Sequence, residues 1–423
     1  MAVESRVGWR RLLPLPRFTA FQHRDYRLWW VSSLTGGFSM STSQVAMSWL
    51  ALQLTGTDAR WIGGVIAAFG VPAFLFTIPA GVIADKWDRR FQAMASQTAA
   101  LIIATAFAVL VALELATPQL TLVFAFLSGT SMVFGQPARQ ALIPMLVPRE
   151  QLMNGVVLGS MANNTSRMVG PAIAGGLIAI SGVASAFYVL AALLLIGLVA
   201  LVFMRVPEQP ADPQEARPEH NEGVFKSLAG GAIFLWHTKP LLVLMGMMVA
   251  IGLFIQGPIQ SLAPVMVEEV WNVGASGLGL VFMVQGFAAI VASLYLTGLS
   301  GMKDKGSFAA FSMVFFSAFL VAFALMPIFW VALLIFFVRG YFAGIFANMQ
   351  QTLLQTHSPR HVQGRVLSLS GLTIQGFVPL GALQAGFVAS LLGAPAAMAL
   401  GATIPLALGV LILLLARSFN RLS

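Results

Sequence analysis

Long apolar stretches recur along the chain, and short clusters of charge, proline or glycine separate them. An α-helix needs about 20 mostly apolar residues to cross the ~30 Å hydrocarbon core of a bilayer, and the stretches reach that length. Twelve are found, at 27–54, 61–84, 91–114, 119–147, 152–180, 184–205, 240–267, 274–300, 307–326, 328–355, 363–392 and 395–416. The narrowest breaks are Met326-Pro327 and 392–395. Glycine and proline recur inside the stretches, as in packed membrane helices whose neighbours satisfy freed backbone groups. The period-two alternation of barrel strands is missing, which excludes a β-barrel. The pattern predicts an all-α membrane protein of twelve transmembrane helices.

One segment breaks the pattern. Residues 206–222 hold Pro207, Pro210, Pro213 and Pro218 together with five acids, the composition of a solvated tether. Residues 225–237 then read as a short amphipathic helix. Shifting the sequence by 211 residues superposes Gln140 on Gln351, Pro148-Arg149 on Pro359-Arg360, Gly170 on Gly381 and Gly175 on Gly386. The expected organisation is an interfacial N-terminus (1–26), a six-helix bundle (27–205), a linker (206–239), a second six-helix bundle (240–416) and a tail (417–423). Six spans per half give both halves the same orientation, hence parallel repeats around a central cavity.

Composition agrees with a membrane setting. Charged residues make up 9% of the chain and hydrophobic residues 58%, whereas soluble domains carry roughly 25% charged residues. The net charge of +9 raises nucleic acid as a partner, and the positions of the cations decide against it. Twenty of the 24 Lys and Arg lie in segments on the N-terminal side of the membrane. Arg60 alone falls in an opposite loop, and Arg139, Arg167 and Arg339 fall inside spans. This asymmetry predicts cytoplasmic termini in the cytoplasmic membrane. No short apolar core with a cleavage site opens the chain, so no signal peptide is expected. Cysteine is absent, which removes thiol chemistry.

The loop between the second and third spans reads GVIADKWDRR, residues 81–90. Gly81 permits close helix approach, and Asp85, Lys86, Asp88, Arg89 and Arg90 offer charges able to pair in one conformer and part in another. That is a gate latch of the kind alternating access requires, with an ordinary positive-inside loop as the alternative. The loop resembles the signature loop of the major facilitator superfamily, with Asp88 where glycine is more usual. Residues 21–27 (FQHRDYR), Ser48-Trp49-Leu50, Leu54-Thr55-Gly56-Thr57, and Asn154 with Arg167, Gly170 and Pro171 resemble the branch that holds the enterobactin exporter and the macrolide efflux pumps. The resemblance implies a twelve-span secondary transporter that exports small molecules, usually in exchange for protons, and acts as a monomer. The second-half loop at 298–306 keeps cations without the pattern. The fifth span reads GPAIAGG, with Ala174 where the family's antiporter signature has glycine. Gly170, Pro171, Gly175 and Gly176 are expected to kink and pack that helix.

Arg167 stands about 22 Å along its helix from Leu152, too deep to reach the interface easily. Ser160, Asn163, Asn164 and Arg167 share one face at helical spacing. Two readings stand: a cavity arginine that binds an anionic group or competes with a proton, and a structural arginine bonded to neighbouring carbonyls. Arg339 divides evenly between the same two roles, while Arg139 lies close enough to the interface to snorkel. The neutral candidates for a cavity lining are Gln44, Asn163, Asn164, Gln256, Gln260, Gln285, Asn348, Gln351 and Gln375. They suit a bulky, amphipathic, partly anionic ligand. No acid lies near a span centre, so proton coupling rests on the resemblance together with Asp85, Glu114 or the Glu268-Glu269 pair. No cofactor or metal site is expected, only a proton gradient as energy source.

Two other functions use the same features. An importer or lipid flippase on this scaffold differs only in the side from which ligand is taken. A membrane sensor or assembly factor that has lost transport is disfavoured by the charged loop at 81–90 and the polar fifth span. An enzyme is excluded by the lack of any nucleophile–base pair, metal cluster or phosphate loop, with all five histidines in the N-terminal-side segments.

Overall fold

The computed structural model describes residues 18–206, 224–297, 304–416 and Phe419. The predicted N-terminal segment up to residue 17, most of the linker (207–223), loop residues 298–303 and most of the tail lie outside the described residues. All regular structure within them is helical. The first half holds α1 (Arg24–Thr55), α2 (Ala59–Lys86), α3 (Arg89–Ala112), α4 (Pro118–Leu146), α5 (Leu152–Ser181) and α6 (Val183–Phe203). After the linker come α7 (Val224–His237), α8 (Lys239–Ile251), α9 (Gly257–Glu269) and α10 (Gly274–Thr297). The chain closes with α11 (Lys305–Leu325), α12 (Phe329–His357), α13 (Arg360–Leu392) and α14 (Ala394–Leu415). A π turn, Gly252–Gln256, joins α8 to α9 into one crossing, and α7 is the short helix expected at 225–237.

Local chemistry sets the ends. Asp58, Asp88 and Thr117 cap α2, α3 and α4, their side chains accepting from the amides of Arg60 (3.0 Å), Phe91 (2.7 Å) and Leu120 (3.2 Å). Gly182 at φ 76° turns α5 into α6, and Gly393 at φ 82° turns α13 into α14. Only a residue without a Cβ takes that conformation cheaply. The two glycines stand one 211-residue shift apart.

Among the described residues ten helices are long and apolar enough to cross a membrane, by length and composition. The other two of the expected twelve, α1 and α5, are 32 and 30 residues long but more polar. The physical reason is their position. They pack on each other, and their hydroxyls bond to carbonyls within the bundle: Ser39 to Leu190 O (3.4 Å) and Ser166 to Leu34 O (3.0 Å). Polar groups so satisfied need no water.

The same neighbours recur in each half. α2 lies on α4, and α3 on α4 and α6; α10 lies on α12, and α11 on α12 and α14. Two seams join the halves, α2 with α13 and α5 with α10. A Cβ built on Gly63 would stand 2.4 Å from Ala382 O, and one on Gly386 2.4 Å from Ala59 O. At the other seam Gly175 would meet Ala275 O at 2.5 Å, and Gly279 would meet Pro171 O at 2.7 Å. Small residues allow this backbone contact. Gly175 and Gly386, superposed by the 211-residue shift, thus serve opposite seams. We call the end that carries residues 18–23 the near end. The seam contacts run over residues 59–74 of α2 and 168–175 of α5, with partners as far in as Gly376 and Gly286. These lie toward the far end.

Candidate functional site

A cavity of about 500 Å³ lies among the first-half helices α1 and α3–α6, with Phe69 reaching it from α2. Its wall reaches Ile143, three residues before α4 ends at the near end. Hydroxyls dominate the polar lining: Ser33, Ser39 and Ser43 from α1, Ser96 from α3, Ser128 and Ser131 from α4, and Ser160 from α5. Gln136, Gln140, Asn163 and Arg139 add amides and one cation, and no acid lines it. Trp29, Met40, Phe69 and Phe124 supply apolar and aromatic wall. Phe124 stacks on Phe107 with centroids 4.2 Å apart, and both meet Phe187 edge-on, which fixes the far part of the wall.

Arg139 does not snorkel to the interface. Its Nη2 donates a very short hydrogen bond to Gln97 Oε1, while Gln97 Nε2 donates to Leu194 O at 3.0 Å. Gln97 is fully buried, so its amide is fixed with the oxygen toward the guanidinium. The Trp29 indole donates to Arg139 O at 3.0 Å. Arg139 Nε has no partner among the described residues. Gly36 makes room for the guanidinium, since a Cβ there would stand 2.8 Å from Nη1.

The other expected arginines differ. Arg339 is 1% exposed, with its guanidinium carbon 5.3 Å and 5.9 Å from the ring centroids of Phe336 and Phe316. Its Nη2 is 3.5 Å from Gln256 Oε1, and Nε and Nη1 have no partner among the described residues. Gln256 ends the π turn, so the turn aims it at Arg339. Arg167 is exposed and makes no hydrogen bond among the described residues, so the carbonyl-bonded arrangement is not formed. It follows cavity-lining Asn163 by four residues, one turn toward the far end on the same face.

The remaining candidates scatter. Asn163 lines the cavity; Asn164 and Gln44 are exposed outside its lining. Asn348 donates to Gly344 O (2.8 Å) and Ser293 Oγ (3.1 Å), tying α12 to α10. Gln260 is half-buried and Gln351 exposed; Gln285 is half-buried with an unpartnered Oε1. The Gln375 side chain lies outside the described residues. Gly170 packs on Ser41 of α1, whereas a Cβ on Gly176 would meet nothing within 4 Å. Packing at Gly176 is therefore corrected: it faces open space.

In the 81–90 loop, Gly81, Asp85 and Lys86 have side chains outside the described residues. Asp88 caps α3. Arg89 donates to Ala141 O at 3.2 Å, and Arg90 to Val202 O at 2.7 Å and Leu201 O at 3.3 Å. These arginines therefore hold α4 and the C-terminus of α6, where a cation also meets the negative end of the helix dipole. At the far end Thr57 Oγ1 donates a very short hydrogen bond to Glu269 Oε1, linking the halves. Thr57 sits at φ 71°, costly for a β-branched residue. Beside it, hydrogen bonds from Arg60 hold the Asp58 carboxyl below the usual carboxylate range.

Sequence reasoning missed the Arg139–Gln97 pair and the serine lining. The signal was present in α3, where Gln92, Ser96 and Gln97 cluster in an otherwise apolar helix.

Comparison with known proteins follows from this geometry. Residues 16–420 match the family model described as transmembrane secretion effector. The chain belongs to that family. Members are membrane transporters of the major facilitator type. The multidrug efflux pump Tap of Mycolicibacterium fortuitum is 26% identical over 91% of this chain and 94% of its own length. The staphyloferrin A transporter of Staphylococcus aureus is 26% identical over 83% and 86%. The enterobactin exporter of Escherichia coli O81 is 26% identical over 86% of each. Among solved structures, a bacterial homologue of the lysosomal transporter Spinster, inward-facing and unoccupied, superposes with a TM-score of 0.70 at 15% identity, covering 94% of this chain and 96% of its own. A peptide transporter superposes at 0.74 with 12% identity, covering 95% and 96%. The family and these relatives are membrane transporters and not enzymes.

Proposed function

We propose that the protein exports amphipathic small molecules bearing an anionic or hydroxyl-rich group, by alternating access in exchange for protons. The carrying observation is the cavity: about 500 Å³, partly aromatic, lined by serines and one arginine and by no acid. Such a lining favours a negative or polar group over a lipophilic cation. The efflux and siderophore names of the relatives support the outward direction. With the cation asymmetry marking the near end as cytoplasmic, the seams and the Thr57–Glu269 bond close the outer side, and the cavity faces inward to load. Alternating access then opens those seams while the near ends of the two six-helix bundles converge. A chain that closes its own cavity within one half works as a monomer. Glu269, the acid bonded at the outer seam, takes the proton-carrier role.

The test uses inverted vesicles energised by a proton gradient and loaded with a pH dye. Catecholate siderophores, macrolides and lipophilic cations are added outside. Export predicts accumulation of an amphipathic anionic or hydroxylated member with matching proton release. Uptake from the opposite face alone favours an importer, and movement without pH change removes the antiport step.

A further inference from the structure

Three arginines enter the membrane-spanning part of this chain, and the structure treats them unequally. Arg339 is enclosed by phenylalanine rings, and Arg167 lies exposed outside the cavity lining. Arg139 alone forms part of the cavity wall. Its surroundings are those of a docking point. One nitrogen of the guanidinium is fixed, Nη2 on Gln97, itself locked by Leu194 O, and the Trp29 indole holds the main-chain carbonyl of Arg139. Gly36 clears space for the group, since a Cβ there would stand 2.8 Å from Nη1. No carboxylate meets it among the described residues, and Nε is unpartnered.

A wholly structural role explains this poorly. Withdrawing an ion from water costs several kcal/mol unless a counter-charge or a full set of hydrogen bonds offsets it. A neutral amide oxygen and one orphan nitrogen do not provide that set. A guanidinium at the wall of a roomy cavity instead holds an anionic oxygen more strongly than it holds a neutral acceptor.

We infer that Arg139, oriented by Gln97, docks a carboxylate of the transported molecule. The inference rests on the proposal that this cavity receives that molecule. A small free anion would use the same chemistry, and the experiment separates the two sources.

Full-length protein in nanodiscs is titrated with two amphipathic fluorescent probes, dansylglycine and its neutral amide, in gluconate buffer. Wild type is expected to favour the carboxylate by about tenfold, the size of one charge-assisted contact. Arg139→Gln should bind both probes equally, with the amide's affinity within about twofold of wild type, and Arg139→Lys should keep part of the preference. Retention of the amide's affinity shows that Arg139→Gln is folded. An unchanged preference in Arg139→Gln overturns the inference and leaves the cavity proposal standing. Binding of neither probe to wild type overturns the cavity proposal and the inference with it. Displacement of both probes by chloride at equal concentration identifies a free-anion site and overturns the carboxylate assignment.

Discussion

At the scale of single residues, charge is used in three ways, and the sequence distinguished them unevenly. Asp58 caps α2 and accepts from Arg60, and those hydrogen bonds keep its carboxyl below the usual range. A group whose folded pKa is depressed adds stability above the unfolded value and loses it as pH falls through the folded one, so this contribution disappears only in strong acid. Most of it is the cap, because the ion pair is exposed. Asp58→Ala should cost about 1 kcal/mol, lowering the unfolding midpoint by roughly 1–2 °C in a thermal scan, while Asp58→Asn should lie close to wild type. Arg167 was legible as a cation within a span because its own helix carries its polar neighbours. The importance of Arg139 was not, because its partner Gln97 comes from another helix, 42 residues away. Spacing along one helix cannot report that meeting. The bonds of Asp88 and Arg90 to the ends of α3 and α6 were not legible either, because a charged loop reads alike whether it pairs within itself or caps its neighbouring helices.

At the scale of elements, the apolar periodicity located nearly every helix within a few residues, since a span must satisfy its own backbone in lipid. Two features escaped. The π turn Gly252–Gln256 leaves no trace in hydropathy, although Pro258, which lacks a backbone donor, follows it directly. α1 and α5 read as ordinary spans, yet they are the most polar because they border the cavity and each other. The seams make the sharpest element-scale prediction. Gly175 touches the backbone of α10, so Gly175→Val should force α5 and α10 apart. The chain has no cysteine, so one introduced at Ala275, buried at this seam against Gly175, is a clean reporter. Its labelling by an impermeant maleimide from the far side should rise several-fold in Gly175→Val. An unchanged rate would mean that this seam does not govern far-side closure. Glu269→Ala should raise the same rate, and Glu269→Gln, which still accepts from Thr57, should raise it less.

At the scale of the whole molecule, the 211-residue register ties sequence to architecture. It carries Gly182 onto Gly393 at matching turns and Gly175 onto Gly386 at the two seams, so each half supplies one α5-type helix to the other. Which end is closed was not legible, because both conformers of an alternating-access protein share one sequence. The structure adds a closed far end and a serine-lined cavity reaching the near end. Alternating access requires that this cavity change sides during transport. A single cysteine at Ser131, inside the cavity, tests it in sealed vesicles of known orientation, labelled from each face with and without an imposed proton gradient. The account predicts rapid labelling from the near side at rest and a shift to far-side reactivity under the gradient, with protection by any transported ligand. Equal labelling from both faces, or reactivity fixed to one face under every gradient and ligand, would contradict it.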